Sequence, residues 1–76
     1  MESISVDMFD WATGEPIKKE NGRNEMHVRA LPRAGDFVSF GRRAWRVEQM
    51  VFVDNGPIRC MCASVNDPKI AALSYR

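Results

Sequence analysis

Ile4, Val6 and Met8 alternate with Ser3, Ser5 and Asp7, and the alternation then passes to Phe9 and Trp11 on the other parity. A period of two belongs to an extended chain whose side chains point to opposite faces, so a first strand is predicted from Ser3 to Trp11. Two apolar sets then compete for the core. Either both faces of this strand are covered, or one set looks outward.

"ATGEP" is a turn, because Gly14 tolerates positive φ and Pro16 fixes φ and removes a donor. "IKKENGRNE" reads as a weak strand end running into a polar loop at Asn21 to Asn24. Alternation resumes from Glu25 to Ala30, with Met26 and Val28 on one side and His27 and Arg29 on the other. Leu31 before Pro32 is pushed out of helical geometry, and Gly35 permits a reversal. Phe37 to Phe40 form a short strand, and Gly41 with two arginines turns into the longest one, about Ala44 to Val53. There Trp45 and Val47 share one face while Met50 and Phe52 take the opposite parity. This pattern predicts burial on both faces or a β-bulge near Gln49.

Asn55-Gly56 carries the hairpin signal of a type I′ turn, and "PIRCMCASV" returns as a strand. Asp67 followed by Pro68 resembles an N-cap and first helical position, which predicts one helical turn over Pro68 to Ala71. "ALSYR" reads as a closing strand, although "KIAAL" would also support a short helix. Short strands punctuated by Gly, Pro and Asn, with no sustained 3.6-residue period, make the chain all-β, with that one short helical turn near the C-terminus. The layout from Pro32 to Arg76 resembles the small, strongly bent β-barrels of the Src-homology-3, Tudor and KOW type, with the N-terminal strand as an addition. The resemblance lies in layout and carries over no functional residue.

Composition narrows the class. At 76 residues the chain is one domain, residues 1–76, and folding at this size removes only about 60% of the chain's surface from water, which leaves little room for a deep pocket. With 45% apolar and 28% charged residues it has neither a disordered nor a disulfide-scaffold make-up. No apolar run reaches the ~20 residues of a membrane-spanning helix, and "MESISVDMFDW" has acids where a signal peptide has bases, so a cytoplasmic protein is expected. Cys60 and Cys62 lie two apart on one strand face, too close for an ordinary structural disulfide, and read as reduced core thiols.

No chemistry of catalysis stands out. A structural zinc site wants four Cys or His ligands, and His27, Cys60 and Cys62 fall short in number and spacing, so neither a metal nor another cofactor is expected. His27 is the lone imidazole available to activate a nucleophile, and it would need the Glu25 to Ala30 strand to pair with the one carrying the cysteines. Asp7 and Asp10 point to opposite faces and make no acid-base couple. "GRR" lacks the glycines and the helix of a phosphate loop. The chain is therefore read as no enzyme.

Charge redraws the picture more than composition does. Formal net charge is +1, yet residues 1–17 carry Glu2, Asp7, Asp10 and Glu15 with no base, while Lys18, Lys19, Arg23, Arg29, Arg33, Arg42, Arg43 and Arg46 crowd into residues 18–46. Arg42, Arg43 and Arg46 surround Trp45 and are candidates for phosphate or carboxylate forks, joined by Arg29 and Arg33 if the strand before them lies alongside. Trp45 could stack a base, but its alternation with Val47 favours the core. In "MFDW", Phe9 and Trp11 next to acids suit docking against another chain.

These features point to a small non-enzymatic protein that binds another protein as inhibitor, adaptor or accessory subunit. Small single-domain chains of this make-up resemble accessory proteins of phages and mobile elements, and that resemblance extends the reading to a host nucleic-acid-processing complex as target. The alternative is a nucleic-acid-binding barrel using the arginine-rich loop, against which a sequence pI of about 7.8 weighs. A homodimer formed through an open sheet edge is a third reading.

Overall fold

The computed structural model describes residues 3–67 and 69. It contains five strands: β1 Ile4–Asp10, β2 Glu25–Val28, β3 Phe37–Phe40, β4 Arg43–Phe52 and β5 Ile58–Ser64. They form one sheet in the order β2-β1-β5-β4-β3, nearly closed into a small barrel of the Src-homology-3-like type, as the alternation and turn signals predict. The expected helical turn over Pro68 to Ala71 and the expected closing strand "ALSYR" lie outside the described residues. Within the described residues the Asp67 carboxylate accepts from the Lys69 N–H at 2.9 Å, the interaction of an N-cap side chain.

β3, β4 and β5 make an antiparallel meander. β1 enters between β5 and β2, parallel to β5 and antiparallel to β2. Parallel pairing requires a long connection, and here it joins the first strand to the fifth, so the whole chain must be in place before the sheet is continuous.

The competition on β1 has a clear outcome. Val6 and Met8 are fully buried and Ile4 packs beside them, while Phe9 is half-buried and Trp11 exposed on the other face. Register carries the inner row across the sheet: Met8 lies beside Cys60 and Cys60 beside Met50. Phe40, Trp45, Val47 and Cys62 complete the core, and Trp45 Nε1–H donates to Phe40 O at 3.0 Å, which satisfies its one polar group. The parity change along β4 is a bulge. Register passes from Val47 opposite Cys62 to Gln49 opposite Met61, skipping Glu48, so Val47 and Met50 both face inward.

One turn departs from expectation, and a second, placed where the sequence put it, takes the geometry expected of the first. At Asn55-Gly56 only Asn55 has positive φ, 54°, and Gly56 N–H donates to Val53 O at 3.0 Å, so Asp54 and Asn55 form the centre in place of the predicted type I′ pair. Gly56 serves for room instead, since a Cβ there would stand 2.7 Å from Val53 Cγ1. The two consecutive positive φ values occur at Gly41, 60°, and Arg42, 62°, because Phe40 and Arg43 pair directly and leave a two-residue loop.

Residues 15–24 cover the free side of β1. Ile17 N–H donates to Met8 O, Met8 N–H to Asn24 O and Asp10 N–H to Glu15 O. The same segment carries Lys19 over the Phe40 ring and Glu20 to Arg42, so it spans from β1 to the β3–β4 turn and closes that side of the barrel.

Candidate functional site

The outer face of the sheet is built by the positions that the core leaves over. On β1 these are Asp7 and Phe9, on β5 Arg59, Met61 and Ala63, on β4 Arg46 and on β3 Phe37. Register aligns them into rows. Arg46 lies opposite Ala63 on one side and Phe37 on the other. Trp11 N–H donates to Cys62 O at 2.8 Å, which continues the β1–β5 ladder by one residue and sets Trp11 beside Ala63. The row therefore runs Trp11, Ala63, Arg46, Phe37. Its two ends are the aromatics, with relative exposures of 50% for Trp11 and 53% for Phe37.

The next row begins with Phe9 beside Met61, and Met61 beside Gln49. Arg59 lies over the Phe9 ring with its guanidinium carbon 5.2 Å from the centroid, a cation–π contact. Beside Phe37 and Arg46 an open groove of about 280 Å³ continues past Ala63, Ser64 and Val65 to Asp67. Arg46 Nε donates to Glu48 Oε1 at 2.8 Å, and both groups reach solvent. An exposed pair of this kind costs little to open, so the guanidinium stays available at the centre of the face.

The residues singled out from sequence are divided by this geometry. Phe9, Trp11 and Arg46 come together on the outer face. Arg43, next but two to Arg46 in sequence, lies on the Trp45 side of β4, where it covers the indole at 5.0 Å and donates to Ser64 Oγ at 3.1 Å. Arg42 extends from the β3–β4 turn to Glu20, at 3.7 Å. Arg29 and Arg33 sit exposed in the β2–β3 connection, and β1 and β5 stand between β2 and β4, so the strand before them does not lie alongside the arginine-bearing one. Trp45 is a core residue. Sequence reasoning overlooked Phe37, Arg59, Met61 and Ala63. Phe37 was within reach, because Val38 and Phe40 share the parity opposite to it.

His27 and the thiols stay apart, since β1 lies between β2 and β5 and His27 pairs with Ser5. Cys60 and Cys62 are fully buried with their sulfurs 3.3 Å apart. The sulfur–sulfur hydrogen bond with Cys62 holds the Cys60 thiol below its ordinary range against the effect of burial. The same bond, with burial and the charges of Cys60 and Glu48, pushes Cys62 up. Among the described residues no group of three or more His, Cys, Asp and Glu side chains is placed to hold a metal ion. Nor is any helix among them long and apolar enough to cross a membrane.

No protein-family model matches the chain, and no curated protein and no solved structure is significantly similar to it.

Proposed function

We propose that this protein acts by binding another protein, without a catalytic step of its own, and that the outer face from Trp11 to Phe37 is the surface it uses. The observation that carries this is the pair of half-exposed large aromatics at the two ends of one register row, with Arg46 between them. Trp and Arg are the side chains that most often dominate protein interfaces, and the groove beside Phe37 and Arg46, with small Ala63 in its wall, offers room for a partner's side chain. The roles that fit are inhibitor, adaptor and accessory subunit.

The arginines support this reading over nucleic-acid binding. Arg23, Arg42 and Arg46 each stand against a carboxylate of their own chain, and Arg43 is turned to Trp45. With Arg42, Arg43 and Arg46 directed to different places they form no single basic track for a phosphate backbone, and a formal net charge of only +1 does little to draw one in.

The test is affinity purification of the tagged protein from the cell that encodes it. A stoichiometric partner is expected with the wild-type chain and with the Arg42→Ala/Arg43→Ala variant, and it should be lost with Trp11→Ala/Phe37→Ala. Full recovery by the aromatic variant would remove this face from the account. Salt-sensitive binding to DNA or RNA in a fluorescence-anisotropy titration, lost with Arg42→Ala/Arg43→Ala, would replace the reading altogether.

A further inference from the structure

β4 has neighbours on both sides only over its first half. β3 pairs with Arg43 to Arg46, and one more residue is reached when Val47 N–H donates to Asp36 O and Val47 O accepts from Gly35 N–H. From Glu48 onward no described residue pairs with the side of β4 that faces away from β5. The direction of the free groups follows from the ladder. Cys62 O accepts from Trp11 N–H, so the backbone of Cys62 faces β1, and by alternation those of Cys60 and Ile58 do too. Met61 and Arg59 then bond β4 through Gln49 and Val51. Met50 and Phe52 are left with their N–H and C=O groups on the open side.

The side chains there are apolar and uncovered: Val51 and Val53 are exposed, and Phe52 reaches 65%. No lysine or proline interrupts the stretch between Glu48 and Asn55, although such residues commonly guard an open edge. We propose that this edge pairs with the same edge of a second copy, antiparallel, about a twofold axis through Val51. An edge can pair with itself only if its outward-facing residues are symmetric about the axis, and Met50 and Phe52 are symmetric about Val51. Met50 of each copy then meets Phe52 of the other, every outward N–H and C=O of the two residues finds a partner, and the exposed Phe52 ring is covered by apolar surface. Asp54 comes opposite Glu48 of the second copy, whose charge is already met by Arg46 of its own chain. This surface is separate from the face around Trp11, so a dimer leaves that face open to a partner.

Sedimentation equilibrium from micromolar to millimolar protein tests the inference. A concentration-dependent dimer is expected. Val51→Lys puts two like charges on the axis at an exposed site, and Phe52→Pro removes the exposed ring together with a backbone donor that β5 does not use; each should raise the dimer dissociation constant by about tenfold or more. Trp11→Ala should leave it unchanged. In the wild-type dimer the Met50 and Phe52 amides should gain protection from hydrogen exchange as concentration rises. A chain that stays monomeric to millimolar concentration overturns the proposal. So does a dimer that survives both edge variants or leaves those two amides unprotected.

Discussion

The two halves of β4 differ more than their sequences do. Arg43 to Val47 and Gln49 to Phe52 are comparably apolar, yet Trp45 keeps 3% of its surface exposed and Phe52 keeps 65%. The first half has β3 on one side and β5 on the other, with the body of the barrel beneath it. The second half has lost β3, and beyond the bulge it is an edge strand whose one paired neighbour among the described residues is β5, itself backed by β1. Burial here is decided by the number of neighbouring strands and not by side-chain hydrophobicity. Apolar residues that find no neighbour within the chain become surface for another one.

The contrast should appear most strongly in stability. Trp45→Ala is expected to cost about 3–5 kcal/mol in urea unfolding, since it empties a core site and removes a satisfied indole N–H. Phe52→Ala, measured in dilute monomer, should cost about 0.5 kcal/mol or less. Equal costs would mean that the distal half of β4 is packed after all. At the β4–β5 turn, Gly56→Ala drives a Cβ against Val53 Cγ1 and should cost about 1 kcal/mol, most of it recovered when Val53→Ala is added. The smallest effect belongs to the other turn. Arg42→Gly relieves a side chain held at positive φ and should gain about 0.5 kcal/mol by the same assay, because the exposed Arg42–Glu20 pair that it removes contributes little.

Much of the fold was legible in local pattern. β3 falls on its predicted residues, the other strands within a residue or two, and the bulge was announced by the shift of apolar parity between Val47 and Met50. Pairing between distant strands was not legible. Nothing local tells that β1 lies parallel to β5, and until that is known the inward set on β1 cannot be chosen. The site was hidden for the same reason. Arg43 and Arg46 look like one cluster along the chain, but strand alternation and the turn at Arg42 send the three arginines to different places. Trp11 and Phe37, which sequence leaves unrelated, become the ends of one row only when three strand registers are known. The Asn-Gly turn misled because turn geometry is set by where pairing stops, and here it stops at Phe52 and Ile58.

The division of the sheet into a buried inner face and an outer face proposed to bind a partner is tested most directly by its two tryptophans. Acrylamide quenching of the single-tryptophan variants Trp45→Phe and Trp11→Phe reads each indole separately. The account predicts that Trp11 is quenched readily and Trp45 hardly at all, and that Trp11 becomes shielded when the partner is added. Trp11 as protected as Trp45 in the isolated monomer would contradict it.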